Sequence, residues 1–590
     1  MKNDYEKIQP LKHKNILLCV SGSIASYKAV EILSSLKKLG ANVAVVLSEE
    51  AKRFISPLSF EAISHTQVLH KDTESWVDFG KSLDIEDSHF FVKSLGSPCA
   101  DFLNDSCAND SCADMLADSS TSKSSTADFT PSYPQPKSHI AYAKWAHIVL
   151  LAPATANTIS KLAYGIADNL IVQTLLATKH TQILLAPAMN TQMFLSPQVQ
   201  NALDRLQGYG YEIIPPKEAL LACDEYGVGA LAEVEEIIFR TLRASYMQDL
   251  PLRAKKSSKN HKQDEASQSD FGQGDFKQNG FWQNGFWQSD FEKCNLWQCD
   301  FWQDNFWVDR EVIITGGGAI SPIDTVRAIS NYSSGKQALA LAKAAYTLGA
   351  KVTLISSKIH SFLPSQIECI AAQSNDDYKK AIESKLRDFG DCADFYYCVK
   401  SKNLKEPKAP NKRKKPVLFM AAALCDYALQ SPKTYKIKKS TSPNLTLELQ
   451  SCQDVLANID SKKIYKIGFK AESITQKNEK NTPKNTLEDA LKNAKKMLHS
   501  TSEGGKDCSC VCLNAISTNS TPFGAEDNSF YLLDFRALRD EQDKITFLPP
   551  KSKLGLSYEI LEFVQSSLQG LESTKSKNLS STAKMPKSNK

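Results

Sequence analysis

Three side chains in the N-terminal part of the chain have the types that proton and sulfur chemistry needs: His139, Asn190 and Cys223. His139 follows Ser138 at the start of a short helical pattern, and imidazole is the natural proton carrier near neutral pH. Cys223 lies in Ala222-Cys223-Asp224-Glu225-Tyr226-Gly227-Val228-Gly229, a turn-rich stretch with the glycines of a mobile flap. Asn190 closes the run Pro187-Ala188-Met189-Asn190. A loop cysteine is inert more often than not, and a lone histidine is usually structural. The case therefore rests on the elements that position them.

Those elements read as a parallel sheet. Leu-Leu-Ala-Pro-Ala occurs at 150–154 and again at 184–188, each copy ending an apolar run and followed by small polar residues, Thr155-Ala156-Asn157 and Met189-Asn190-Thr191. A buried strand stopped by proline places such residues at the carboxyl edge of the sheet, where open α/β sheets bind ligands. Ile16–Val20 is a further strand, followed by Ser21-Gly22-Ser23-Ile24-Ala25-Ser26 and a helix with Val30, Leu33, Leu36 and Leu39 on one face. Strand, small-residue turn and helix start form an anion site, although Gly-x-Gly-x-x-Gly is absent.

The bulk numbers set the class. At 590 residues the chain exceeds one core, and 42% apolar with 23% charged residues is the balance of a globular protein. A net charge of +5 argues for no nucleic acid, and no apolar run or N-terminal core predicts a membrane span or signal peptide. Fifteen cysteines, an odd number scattered through α/β patterns, read as reduced thiols in the cytoplasm. Cys508, Cys510 and Cys512 alternate along a strand pattern, against a zinc knuckle.

Four segments separate by composition. Residues 12–245 form the first α/β unit, with a Ser/Asp/Cys-rich insertion near 80–137 expected to be disordered. Residues 246–309 form a linker whose later part repeats every five positions, as in Phe281-Trp282-Gln283 and Phe286-Trp287-Gln288; that period fits no helix or strand face, so few contacts are expected to cross it. A second unit covers 310–570, with a basic insertion near 400–416 that reads as solvated, and 571–590 is a disordered tail. Leu39-Gly40-Ala41-Asn42-Val43 is echoed by Leu348-Gly349-Ala350-Lys351-Val352, the helix, stop and returning strand that each of two doubly wound Rossmann-like domains needs.

The second unit opens on Glu311–Thr315 and Gly316-Gly317-Gly318, then carries Asn331-Tyr332-Ser333-Ser334-Gly335-Lys336 at a helix start. Gly335-Lys336 is no P-loop, because Gln337 replaces the required hydroxyl residue. Asp426 precedes Lys436-Ile437-Lys438-Lys439 by ten residues; such a cluster is a solvated loop or, beside a nucleotide, a triphosphate clamp.

Gly22-Ser23-Ile24-Ala25, Ser138-His139-Ile140, Ala152-Pro153-Ala154-Thr155-Ala156-Asn157, Pro187-Ala188-Met189-Asn190 and Ala222-Cys223 together resemble the bacterial bifunctional phosphopantothenoylcysteine decarboxylase/phosphopantothenate–cysteine ligases of coenzyme A synthesis. The resemblance implies a flavodoxin-like first domain binding FMN through Gly22, Ser23, Ile24, Ala25, Pro153, Ala154, Thr155 and Asn157. It makes His139 the base, Asn190 the substrate grip and Cys223 the donor that completes reduction of an enethiol. In the second unit it implies a ligase using CTP and Mg²⁺ through an acyl-cytidylate. Asp426 would bind the ribose, Lys436 and Lys439 the phosphates, and Phe469 of Gly468-Phe469 the base, while Asn331 steadies the intermediate. No Mg²⁺ ligand is implied. The resemblance also implies trimers built into a dodecamer, with small molecules as the other partners.

Three departures stand out: Asp224 where the family has Gly, Gly229-Ala230-Leu231 for Gly-Arg-Met, and Gly316-Gly317-Gly318-Ala319 for Ala-Gly-Pro-Thr. They keep two rivals open, a chain with one active half and a non-catalytic flavin-binding regulator.

Overall fold

The computed structural model describes residues 9–75, 138–179, 181–249, 305–388, 396–397, 411–412, 414–438, 444–474, 486–517, 525, 527–539 and 545–582. The Ser/Asp/Cys-rich insertion, the aromatic repeat through residue 304, Lys439 and residues 583–590 lie outside them. No helix among the described residues is long and apolar enough to cross a membrane.

The first unit is a five-stranded parallel sheet of β1 (Asn15–Val20), β2 (Asn42–Leu47), β3 (Ile148–Ala154), β4 (Gln182–Pro187) and β5 (Glu212–Ile213). Its order, β2-β1-β3-β4-β5, is the flavodoxin-like one, which reverses direction between β1 and β3. Every residue of β1 and β3 is buried, as a sheet covered on both faces requires. Helix α1 (Tyr27–Lys38) follows β1, α2 (His139–Trp145) leads into β3, and α3 (Ala156–Tyr164) leaves it.

The second unit is an eight-stranded sheet. β12 (Glu368–Ala371), β11 (Lys351–Ser356), β8 (Glu311–Gly316), β13 (Val417–Met420), β16 (Tyr465–Ile474) and β17 (Cys510–Ser517) run parallel in that order. An antiparallel edge of β18 (Asp527–Asp534) and β19 (Thr546–Ser552) completes it. Cys508, Cys510 and Cys512 are buried, which pushes the Cys508 thiol up to about 12 and the other two upward as well. The two echoed glycines, Gly40 and Gly349, both take positive φ just past a helix end.

The units are not a pair of beads on a string. Helix α5 (Val234–Asp249) of the first unit packs against α6 (Lys336–Thr347) of the second, and Phe239, Leu242 and Tyr246 share one buried cluster with Leu339, Ala342 and Tyr346. Arg243 donates to the carbonyls of Tyr346, Gly349 and Ala350 at 2.5–3.0 Å, adding a charged donor at the helix end to the Gly349 and Asp309 amides that reach the first two. Arg240 bridges Glu236 at 2.8 Å, Glu212 at 3.1 Å and Ser365 at 3.1 Å. This corrects the expectation that few contacts join the halves: the apolar face of α5 finds its cover on α6.

Three further expectations change. Phe306 and Trp307, at the end of the repeat, are buried against the second unit, and Lys414 donates to the carbonyls of Phe306 and Val308 at 3.2 and 2.9 Å. Lys415 likewise reaches the Ser461 carbonyl at 2.7 Å, so the end of the basic stretch is tethered rather than solvated. Helix α9 (Lys553–Thr582) continues past residue 571, because extending a formed helix costs far less than starting one.

Candidate active site

At the first unit's carboxyl edge, the turn after β1 and the start of α3 are locked together. Ser21 Oγ donates to the Pro153 carbonyl at 2.7 Å and accepts from the Thr155 amide at 3.0 Å. Ser23 accepts from the Ala25 amide at 3.2 Å, while Thr155 caps α3 through the Thr158 amide at 3.4 Å. Gly22 has no substitute here, since a Cβ would come within 2.3 Å of Glu50 Cβ. The residues expected to hold a flavin, Gly22–Ala25 and Pro153–Asn157, thus flank the point where the strand order reverses. Neutral hydroxyls and amides beside two helix starts are a donor set that suits a phosphate.

Asn190 and Cys223 meet. β4 ends at Pro187, and Asn190 caps the short helix α4 (Thr191–Leu195), its Oδ1 accepting from the Gln192 amide at 2.8 Å. That bond turns the amide nitrogen toward the flap, where Nδ2 lies 3.2 Å from Cys223 Sγ and 3.2 Å from Glu225 Oε2. The flap is a hairpin of β6 (Lys217–Leu220) and β7 (Tyr226–Ala230), pinned by a 2.9 Å bond from the Met189 amide to the Gly229 carbonyl. Gly229 has φ +146°, and a Cβ there would meet the Met189 carbonyl at 2.3 Å, so this contact demands glycine. Asp224 sits at φ +60°, the left-handed region that Gly prefers and Asp tolerates; this is how the departure is accommodated.

His139 is held on a different element. Ser138 caps α2 through the Ala141 amide, and Glu74 Oε1 lies 2.5 Å from His139 Nδ1 and 3.2 Å from its amide. Glu74 carried no sequence signal: 65 positions separate it from His139, and only the fold joins them.

The second edge encloses a cavity of about 450 Å³ between Ser333–Ala338, Met420–Asp426, Cys452–Leu456 and Phe469–Ala471. Asp426 and Phe469 line it, and Phe469 stands edge-to-face with Phe530 at 5.7 Å. Lys336, weighed above as part of a P-loop, lines it too, together with Lys470, Lys506 and Lys553, three cations from separate elements that carry no motif in the sequence. Lys506 pairs with Asp454 at 2.6 Å; burial pushes the Asp454 carboxyl up, but this pairing and the Ala457 amide outweigh it and leave it below its usual range. Gln337 Oε1 is buried without a hydrogen-bond partner, while its Nε2 donates to the Lys553 carbonyl at 3.3 Å and to Ser557 Oγ at 3.0 Å.

Asn331 and Lys436 are not among the cavity's lining residues. Asn331 Nδ2 donates to the Leu424 carbonyl at 2.6 Å and so braces the segment that leads to Asp426. Ile437, beside Lys436, is fixed by its amide to Asp324 at 3.1 Å and by its carbonyl to Arg327 at 2.8 Å. The Arg327 guanidinium holds Asp324 well below the usual carboxylate range. The triple glycine has a structural reason as well: Gly317 takes φ +78°, and a Cβ would lie 2.3 Å from Ser357 Oγ.

A flavodoxin-like sheet with a cysteine-bearing flap, fused to a nucleotide-sized cavity on a second Rossmann-like sheet, defines a two-centre α/β flavoprotein. The flavoprotein family profile matches residues 4–99 and 100–244, and that of the DNA/pantothenate metabolism flavoprotein C-terminal domain matches 307–399 and 394–568. Coenzyme A biosynthesis bifunctional protein CoaBC of Bacillus subtilis is 29% identical over 555 residues, covering 94% of this chain and 97% of that protein. A probable phosphopantothenoylcysteine decarboxylase of Streptococcus mutans is 34% identical over 226 residues, 38% of this chain and 95% of its own length. Among solved structures, the C-terminal domain of a CoaBC protein aligns with TM-score 0.30 and 20% identity, covering 45% of this chain and 99% of that one. The chain belongs to the family of bifunctional coenzyme A biosynthesis proteins.

Proposed function

We infer that this chain is a bifunctional enzyme that ligates cysteine to 4′-phosphopantothenate and decarboxylates the product to 4′-phosphopantetheine. The observation that carries the first half is the meeting of Asn190 and Cys223 across a flap at the carboxyl edge of a flavodoxin-like sheet. Residues 12–245 hold FMN through Gly22, Ser23, Ile24, Ala25, Pro153, Ala154, Thr155 and Asn157. Bound FMN supplies the oxidising power that turns the substrate's thiol end into an electron sink, without which loss of CO₂ would leave an unstabilised carbanion. Glu74, on Nδ1, directs the basic lone pair of His139 to Nε2, where the ring takes a proton. Asn190 grips the cysteinyl carboxylate, and Cys223 donates the proton that completes reduction of the enethiol, the two electrons being those that the reduced cofactor would return.

Residues 310–570 activate the pantothenate carboxyl with CTP. Asp426 takes the ribose, Phe469 the base, and Lys436 and Lys439 the phosphates, which enter with Mg²⁺ bound mainly by their own oxygens. Asn331 steadies the acyl-cytidylate until the cysteine amine attacks its carbonyl and expels CMP. Cytoplasmic trimers assembled into a dodecamer complete the proposal. The test is to purify the full chain and assay both halves. It should be yellow, release CO₂ from 4′-phosphopantothenoylcysteine, and release pyrophosphate only with CTP and 4′-phosphopantothenate. A colourless protein, or one inert in both assays, would contradict the reading.

A further inference from the structure

Glu225 lies outside the roles assigned above, yet its carboxylate occupies the donor that the substrate needs. Asn190 Oδ1 is committed to the Gln192 amide, so Nδ2 is the group that remains to bind an acceptor. In the structure that nitrogen has two neighbours, Glu225 Oε2 at 3.2 Å and Cys223 Sγ at 3.2 Å, and the thiol in turn lies 3.8 Å from Glu225 Oε2. A carboxylate and a thiol side by side are what the cysteinyl end of the proposed substrate carries. The flap reproduces that pair with its own residues.

We propose that Glu225 is a specificity-determining latch: its carboxylate occupies the substrate-carboxylate subsite on Asn190 and is displaced by a ligand bringing a carboxylate of its own. The proposal rests on the decarboxylase reading of this edge. The flap is built to release. It is anchored at Gly229 to Met189, turns through Asp224 at φ +60°, and leaves Leu220 and Tyr226 exposed at 67% and 75%, so little packing holds its tip. Displacement costs one charge-assisted hydrogen bond, which a ligand without a carboxylate does not repay. After CO₂ leaves, Asn190 no longer faces a substrate carboxylate, and Glu225 can return, drawing Cys223 back to the reacting end. The acid therefore opens the latch and its decarboxylated product leaves it closed, which times the arrival of the thiol.

The experiment uses the full chain with Glu225→Gln and Glu225→Ala. Removing the competing carboxylate should lower KM for 4′-phosphopantothenoylcysteine about three- to tenfold while changing inhibition by 4′-phosphopantetheine less than about twofold. Alkylation of Cys223 by iodoacetamide without substrate, followed by peptide mass, should speed up severalfold in both variants. A KM that rises while kcat falls, or an unchanged alkylation rate, would overturn the latch. If the wild type releases no CO₂, the decarboxylase reading fails, while the alkylation rates still decide whether Glu225 holds the thiol.

Discussion

The two carboxyl edges solve the same problem with opposite architectures. The first displays its chemistry on an open rim: Cys223 and Glu225 are exposed beside a half-buried Asn190, and a hairpin held at Gly229 brings them together. The second forms a half-open cavity of about 450 Å³ whose cations arrive from four separate elements. An open rim lets a flap exchange partners during turnover, whereas a lysine-lined cleft suits a triphosphate whose charge needs fixed cations as pyrophosphate leaves. Substitutions at the first edge should therefore stop individual steps, and those at the second should weaken activation as a whole.

The largest expected effects lie at the rim. Cys223→Ser should keep its flavin, oxidise substrate and lose CO₂, then stop near one equivalent per site with oxidised enethiol accumulating. Flavin absorbance and product mass in a single-turnover mixture check this. His139→Asn should fail earlier, with CO₂ release down about 10²–10⁴-fold, the usual contribution of a positioned base. Equal behaviour of the two variants would erase the division of labour at this edge.

At the cavity edge, Lys436→Gln should lower pyrophosphate release in the absence of cysteine by about 10²-fold, as loss of a charge facing the leaving phosphates does. Asn331→Ala should still release pyrophosphate but form product poorly. Wild-type pyrophosphate release by the Lys436 variant would show that the cavity lysines suffice and that Lys436 lies too far out to matter.

Between the edges, Arg243→Ala should destabilise the chain by about 2–4 kcal/mol, because three charge-assisted bonds at the end of α6 are lost, although Tyr346 and Gly349 keep a backbone amide each. Thermal unfolding of the full chain reads this, and a variant as stable as the wild type would show that the α5–α6 contact contributes nothing. Lys343 offers a smaller effect of opposite sign. Burial beside Phe239 lowers its ammonium to about 8, below the ordinary 10.5, so the unfolded chain binds more protons between those values. Stability should rise as pH climbs from about 8 to 10, and Lys343→Met should flatten that rise while stabilising the chain at pH 7 by roughly 1–3 kcal/mol.

Both sheets were legible in the sequence because parallel strands buried on two faces leave apolar runs, and because Leu-Gly-Ala marks each helix stop. The Asn190–Cys223 pair was legible as residue types, but their contact depends on Gly229 meeting Met189 across the flap. Glu74 and three of the cavity lysines, Lys470, Lys506 and Lys553, were not legible, since each is brought to its site by the fold from a distant segment with no local pattern. The contact between units was hidden for the same reason: Arg243 reads as an ordinary helix cation until α6 ends against it. Phe306 and Trp307 were masked by the repeat they terminate, whose period gives no hint that its end is buried.

The central claim is that Cys223 and Asn190 form one working centre at the open rim. Its most direct test is a single turnover of the full chain and its Cys223→Ser variant with 4′-phosphopantothenoylcysteine, following flavin absorbance together with product mass. The account predicts 4′-phosphopantetheine and reoxidised flavin from the wild type, and one equivalent of oxidised enethiol with reduced flavin from the variant. 4′-Phosphopantetheine made by the variant at the wild-type rate would contradict it.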